Sequence, residues 1–131
     1  MSEIKVDNLT GKTSAGDITV TSEGGAATQS LQQGLAKAWF HFNMSAATLQ
    51  DSLNASSITD SATGQFLMNI SSAFSSIEYA TLSATGDNAV HNASADTNEP
   101  TSSSQYRHNH WENNAPYDIA NVSNSALGDL A

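Results

Sequence analysis

The feature that most constrains this chain is its supply of short, uncharged hydrogen-bonding side chains. Of 131 residues, 20 are Ser, 12 are Thr and 12 are Asn. Ser and Asn side chains compete with the helical backbone for hydrogen bonds and favour turns and helix caps, whereas Thr favours strands. This composition argues against a helical bundle; together with the strand pattern described below, it predicts an all-β fold.

The charge balance and the absence of cysteine exclude several classes of partner and site. Lys and Arg number 4 against 13 Asp and Glu, which gives a formal charge of −9. Nucleic acid and anionic lipid are bound by clustered basic side chains, so we expect neither as a partner. Without cysteine there is no disulfide scaffold, thiolate zinc site or cysteine nucleophile. The sequence also shows no secretory signal and no apolar run of membrane-spanning length, which predicts synthesis in the cytoplasm without membrane insertion.

Large apolar side chains are scarce, and this bears on the oligomeric state. The chain has 4 Phe, 2 Trp, 3 Tyr and 3 Met. A compact domain of this size buries about 65–70% of its unfolded surface, and so few large side chains give it a thin core. Burial between chains would enlarge that core, so we expect an obligate oligomer.

Residues 1–34 are predicted to form an extended N-terminal arm that attaches the chain to a larger assembly. Apolar and polar residues alternate over residues 4–7 and 17–21, which is typical of short strands. A short helix is predicted within residues 26–34, with a serine or threonine cap before it and a glycine after it. Because the arm has few apolar residues, we expect it to lie on a partner surface or to intertwine with sister chains. The predicted attachment residues are Ile4, Val6, Ile18 and Val20.

Residues 35–131 are predicted to form one distal β domain. The clearest strand places Phe40 and Phe42 on one face, which we expect to point inward. Several short strands separated by turn signals favour a small β-sandwich or barrel. Strands are predicted at residues 36–42, 54–59, 65–70, 77–84, 89–94 and 105–111 and within residues 117–127, and a polar loop is predicted at residues 96–104.

Several segments, taken in order along the chain, carry a resemblance to a known family. They include a strand centred on a tryptophan, an Asn-x-Ser-Ser-Ile-Thr-Asp stretch and a terminal Gly-Asp-Leu-Ala. In this order they resemble tail-fibre-like virion proteins of marine bacteriophages, especially cyanophages. The segments that carry the resemblance are residues 31–39, 42–43, 51–60 and 63–64, with residues 1–6 and 127–131 at the two ends.

Two parts of the chain depart from that family pattern. The Gly-rich turn that often follows the Phe-Asn pair is absent from residues 43–47, and residues 91–117 match nothing in the family. The resemblance implies a homotrimeric, β-rich virion component that attaches at its N-terminal end and exposes its C-terminal end. It leaves open whether the protein lies on the tail or the head.

The most concentrated group of chemically capable side chains lies in residues 106–111. On a strand, alternate residues share a face. One face would carry Tyr106, His108 and His110, and the other Arg107, Asn109 and Trp111.

The two histidines of this group raise the question of a metal. His108 and His110 could present two imidazoles to one ion. Three such pairs around a trimer axis would give six nitrogen ligands, a set suited to a divalent transition metal, and the family resemblance implies such a device. Two histidines alone are a weak metal signal, so we favour histidines without metal and predict no cofactor.

The aromatic and polar residues of the same group suggest a receptor surface. Tyr106, Arg107, Asn109 and Trp111 are the predicted contacts for a host glycan or protein. A tryptophan stacks on sugar rings, while arginine and asparagine bind hydroxyl groups. Packing of Trp111 in the trimer interface is the structural alternative.

Catalysis is not predicted. Most acids lie at turn positions, including Asp60, Asp87, Asp96 and Glu99, and none forms an evident pair beside an aromatic groove. No hydrolase elbow, metalloprotease motif or phosphate loop is present. His41 and His91 are solitary, and we expect ordinary strand-surface or interior positions for them.

Together these observations predict a bacteriophage virion structural protein, tail-fibre-like, on the particle surface. It would be a homotrimer that binds other tail or capsid proteins through its arm and contributes to host attachment. The alternative is a head-decoration or head-fibre protein without a receptor role. A secreted lectin or depolymerase is disfavoured, because the sequence shows neither a signal peptide nor an acid pair.

Overall fold

The computed structural model describes residues 3–14, 18–86 and 94–131. The protein is all-β apart from one four-residue helical turn, which confirms the predicted fold class. The elements are β1 (Thr19–Thr21), β2 (Thr28–Ser30), α1 (Leu31–Gly34), β3 (Ala36–Asn43), β4 (Thr48–Leu53), β5 (Ala55–Ala62), β6 (Gln65–Ile70), β7 (Ala80–Gly86), β8 (Ser94–Ser102), β9 (Gln105–Glu112), β10 (Ala115–Pro116) and β11 (Asn121–Leu127).

The chain divides into two compact units, Met1–Leu35 and Ala36–Ala131. In the first unit, β1 and β2 form an antiparallel hairpin. The strand expected at residues 4–7 does not form, since no partner strand is present for it among the described residues. The expected helix is confined to Leu31–Gly34, because residues 28–30 are extended and pair with β1.

The second unit is a small β-sandwich of two antiparallel sheets. One sheet has the order β10-β9-β6-β5, with β8 also paired to β9. The other has the order β4-β3-β11-β7, so the last strand of the chain lies between two earlier ones. Strand β9 is therefore central in one sheet, and strand β11 is central in the other.

Aromatic side chains of β3 join the two sheets. The ring of Phe40 meets that of Tyr106 on β9 edge-on, with 5.8 Å between centroids, and Phe42 lies 5.9 Å from Phe66 on β6. Such tilted and edge-on pairs stabilise a core beyond their buried area. The inward direction predicted for Phe40 and Phe42 is confirmed. Further buried core residues are Ala38, Met44, Met68, Ile70, Phe74, Tyr79, Ile119, Val122 and Ala126.

Three strand predictions need correction. The expected loop at residues 96–104 is mostly strand β8, which accommodates Pro100 because β8 pairs with β9 alone and the missing N–H breaks no second ladder. Strand β4 was not predicted, since its sequence is largely polar. The strand expected from residue 77 begins at Ala80, and most of the strand expected at residues 89–94 lies outside the described residues.

A tight contact at Gly64 fixes the β5–β6 turn against the end of β9. Gly64 has a φ of +70°, and a Cβ there would lie 2.5 Å from the carbonyl oxygen of His110 and 2.7 Å from the backbone nitrogen of Tyr117. Its own carbonyl accepts the N–H of His110, and its N–H donates to the Asp118 carboxylate. Only glycine satisfies both the left-handed backbone and the close approach.

Candidate recognition surfaces

Strand β9 carries the predicted site residues. They alternate between the two faces of the sheet, as the sequence predicts. Neighbouring strands β6 and β8 pair along most of its length. The inner face is buried in the sandwich and the outer face is more exposed. Inner residues are Tyr106, His108, His110 and Glu112, and outer residues are Gln105, Arg107, Asn109 and Trp111.

His110 lies between two carboxylates inside the sandwich. Its Nδ1 is 2.6 Å from Oδ1 of Asp96, and its Nε2 is 3.1 Å from Oε1 of Glu112. The hydroxyl of Thr85 on β7 donates to the other oxygen of Asp96. The cluster thus links β8, β9 and β7 through charge-assisted hydrogen bonds in a buried setting.

The two carboxylates of this cluster were missed at the level of sequence. Glu112 extends the same alternation by one further step, and Asp96 lies directly opposite His110 on β8. The alternation along β9 predicts that Glu112 shares the face of His110. The sequence predicts a loop at Asp96 and so gives no indication that it contacts His110. The imidazole fills the space between the two carboxylates, so the arrangement forms a closed network in the core.

His108 has a different environment on the same face. Its Nδ1–H donates to the amide oxygen of Asn98 at 2.9 Å, and its buried Nε2 has no hydrogen-bond partner in the described part of the chain. Its ring meets Phe42 edge-on at 5.8 Å. Burial lowers the pKa of His108 to about 4; the Asp96 carboxylate opposes this shift and His110 adds to it.

The structure places both histidines in the interior of one protomer. His108 and His110 are fully buried, with partners from their own chain. A metal site formed by His108–His110 pairs around a trimer axis does not fit these buried positions, because the inner face of β9 packs against β3 of the same chain. Among the described residues, no group of three or more His, Asp or Glu side chains is arranged to hold a metal ion.

Tyr106 also belongs to the core rather than to a receptor surface. Its side chain is fully buried against Phe40 and Tyr79. Burial raises the pKa of its hydroxyl, with a smaller contribution from Tyr79 and an opposing one from Asn124. The surface role predicted for Tyr106 is therefore corrected, because the strand points it inward.

The outer face of β9 carries cross-strand polar rows. Arg107 is 3.2 Å from a carboxylate oxygen of Glu99. The amide of Asn109 accepts a hydrogen bond from Gln65 and donates one to Thr97. Both predicted polar receptor residues are therefore half-buried and already hydrogen-bonded to neighbouring strands.

Trp111 stands at the end of that face. It is 43% exposed and lies directly opposite Pro116 on β10. The exposed ring offers an apolar contact, and the neighbouring Tyr117 is 45% exposed. Of the four predicted receptor residues, three therefore share one outer face and Tyr106 does not.

The predicted attachment residues lie in the first unit. Ile4 is 85% exposed, Val6 60% and Val20 52%. Ile18 is half-buried, and its carbonyl accepts the N–H of Leu31 at the start of α1. Three of the four predicted attachment residues are thus exposed, as is Leu9.

A second surface emerges only from the fold. On the outer face of the β4-β3-β11-β7 sheet, Trp39 and Leu82 lie on either side of Ser125. The small side chains of β11 leave a groove of about 450 Å³ between the larger ones of β3 and β7. Sequence alternation placed Trp39 on the outer face but could not show which strands flank it.

Comparisons with known proteins identify no relative of this chain. No protein family, curated protein or solved structure matches it. Within the described ranges, none of the helical structure has the length and apolar character required to cross a membrane.

Proposed function

We propose that this chain is a bacteriophage virion structural protein, tail-fibre-like, displayed on the particle surface and contributing to host attachment. The N-terminal unit binds other virion proteins, and the β-sandwich is the displayed unit. The observation that carries the proposal is the exposure of apolar side chains in the N-terminal unit, of which Ile4 is 85% exposed. Exposed apolar residues of this kind are suited to burial against a partner.

Further support comes from the sequence resemblance and from the sandwich itself. The resemblance to tail-fibre-like proteins of marine bacteriophages includes the strand around Trp39 and both ends of the chain. A cysteine-free chain with a net charge of −9 suits a component present in several copies, because like charge opposes aggregation. Weak contacts of each copy would sum to firm attachment.

Incorporation into particles tests the attachment role of the N-terminal unit. Replacing Ile4 and Val6 by Asp should exclude the protein from particles assembled in its presence, because the new charges oppose burial. The matched control is Thr59→Asp, at an exposed position of β5. Equal incorporation of both variants, measured by quantitative mass spectrometry of purified particles, would refute this role.

Copy number and position decide between tail and head. Gold-labelled antibody against residues 36–131 should mark the tail, at a copy number that is a small multiple of three. Tens to hundreds of copies on the icosahedral shell would instead favour the head-decoration alternative. Purified protein should also slow adsorption of the phage to its host, and no effect on adsorption would argue against a receptor role.

The trimer is a separate part of the proposal. We expect sedimentation equilibrium of the full chain to give the mass of three chains. A trimer would also bury apolar residues that are exposed in the single chain, such as Ile77. A stable monomer at micromolar concentration would contradict it.

A further inference from the structure

The groove on the outer face of the β4-β3-β11-β7 sheet runs along strand β11. Ser123 and Ser125 form its floor, at alternate positions of the strand. One wall is formed by β3 and the other by β7, because these strands flank β11. Its volume of about 450 Å³ falls within the ~300–1,000 Å³ range of small-molecule sites. The wall residues are Trp39 and His41 on β3 and Leu82 and Ala84 on β7.

The groove is uncharged in a strongly acidic chain. Among the described residues, no Asp, Glu, Lys or Arg lines it, although the chain carries 13 acidic residues. The lining itself therefore holds no fixed charge, and Asp51, opposite His41 on β4, lies outside it. Its polar groups are serine hydroxyls and the imidazole of His41, whose Nδ1 lies 3.1 Å from the Ser123 hydroxyl and is thereby oriented. These properties select an uncharged occupant.

The backbone of β11 limits the occupant further. Hydrogen bonds to β3 on one side and β7 on the other engage this strand along its length. A peptide laid in the groove would find no free strand edge, which is the basis of peptide binding by strand addition. The occupant must be held by side chains alone, through one aromatic wall and several hydroxyl or imidazole groups.

We propose that this groove binds a neutral saccharide. One sugar ring stacks its apolar C–H face on the indole of Trp39, which supplies a large, rigid contact area. The sugar hydroxyls exchange hydrogen bonds with the hydroxyls of Ser123 and Ser125, each of which can both donate and accept. The inference rests on the proposed attachment function for its biological setting, and it names the class of receptor that the sandwich would bind.

Tryptophan fluorescence tests the proposal, because the chain has only two tryptophans, Trp39 and Trp111. Trp111→Phe leaves Trp39 as the sole reporter, and Trp39→Phe leaves Trp111. The probes are methyl glycosides of glucose, galactose, mannose and N-acetylglucosamine and their disaccharides, with N-acetylneuraminic acid as the charged comparison. We expect saturable quenching or a blue shift with at least one neutral sugar in Trp111→Phe and no saturable change in Trp39→Phe.

A filled groove supplies the matched control. Ser125→Leu places a large side chain between the two walls and should weaken binding at least tenfold. Ser61→Leu makes the same change at an exposed position of β5 and should leave binding unchanged. Circular dichroism establishes that both variants keep the fold. Loss of binding in both, or in neither, would overturn the assignment to this groove.

The other possible outcomes would overturn the proposal. A saturable response only in Trp39→Phe would place the sugar at Trp111, and no response in either variant would refute saccharide binding. If Ser125→Leu converts an oligomer to a monomer in sedimentation, the groove holds a second copy of the chain. The sugar measurements use isolated protein, so failure to find the chain on particles would refute the proposed function while leaving the saccharide result intact.

Discussion

At the residue scale, His108 and His110 lie two residues apart on the same face of β9, yet their hydrogen-bond partners differ. His110 has a carboxylate oxygen within hydrogen-bond distance of each ring nitrogen. His108 donates to an amide and keeps its other nitrogen in the core beside Phe42. Because burial penalises the charged form of an imidazole, the surroundings of His108 favour its neutral ring.

The lowered pKa of His108 predicts loss of stability in mild acid. Its pKa is 6.5 in an ordinary setting and about 4 in the folded protein. Between these values the unfolded chain binds a proton that the folded chain does not, so the free energy of unfolding falls as pH falls. Above pH 6.5 the ring is neutral in both the folded and the unfolded chain, so His108 does not lower the free energy of unfolding. By pH 4 the loss in that free energy is on the order of 3 kcal/mol.

Urea denaturation from pH 7.5 to 4 measures this effect. His108→Gln removes the titrating ring and should flatten the pH dependence relative to the wild type over that window. Thr59→Gln, an uncharged exchange at an exposed position of β5, is the control and should leave the slope unchanged. An unaltered slope in His108→Gln would show that other groups carry the pH dependence.

Gly64 supports a second prediction at this scale. Gly64→Ala should destabilise the sandwich by about 2–4 kcal/mol, since it combines a positive φ with a clash against the backbone of His110 and Tyr117. Gly86→Ala is the control, because among the described residues its new Cβ would meet the Cβ of Asn121 alone, at 4.0 Å. Thermal unfolding compares the two, and equal melting temperatures would contradict the packing seen at Gly64.

At the element scale, two residues determine the turn of the β9–β10 hairpin. Asn113 and Asn114 lie between the paired residues Glu112 and Ala115, with φ values of 50° and 64°. Two successive positive φ values define the type I′ turn, whose twist matches that of antiparallel strands. Asparagine tolerates this conformation better than most residues, so the Asn-Asn pair specifies the turn.

Substitution at the second turn position tests this account. Asn114→Val should destabilise the protein by about 1–2 kcal/mol, because a β-branched residue is strained at positive φ. Asn114→Gly should be tolerated to within about 1 kcal/mol, since glycine adopts this region freely. Valine at Asn121, an exposed position of β11, serves as the control. Chemical denaturation in which all three variants unfold together would argue against the turn's role.

At the scale of the whole molecule, the chain consists of a small exposed N-terminal unit and a sandwich with its own core. The buried aromatic and aliphatic cluster lies entirely within Ala36–Ala131. The first unit contributes one hairpin and one helical turn, with apolar side chains facing solvent. A domain that contains its whole core can fold alone.

The fragment 36–131 should therefore fold without the N-terminal unit. We expect its far-ultraviolet circular dichroism to retain the β signal and its melting temperature to lie within a few degrees of the full chain. Phe40→Ala in the same fragment is the comparison, and should lower the stability by about 3–5 kcal/mol. An unfolded wild-type fragment would show that the N-terminal unit or assembly is needed to complete the core.

The strands that sequence predicted well are those with large alternating side chains. Strands β3, β6 and β9 each place bulky residues at every second position, so burial of one face fixes both their period and their direction. Strand β8 lacks large apolar residues, and β4 has only two, Leu49 and Leu53, so neither shows a clear alternation. Periodicity carries no signal for such strands, which explains why β4 was missed and β8 was assigned to a loop.

By itself, the sequence determined the fold class and the orientation of the best strands, because short polar side chains disfavour helices and a period of two separates two faces. Only the tertiary structure decided which face is interior on β9 and which strands are neighbours. Those choices put His108 and His110 in the core and brought Asp96 to His110. They also set β11 between Trp39 and Leu82. Strand pairing is a long-range property set by packing of the whole sandwich, and local pattern does not encode it.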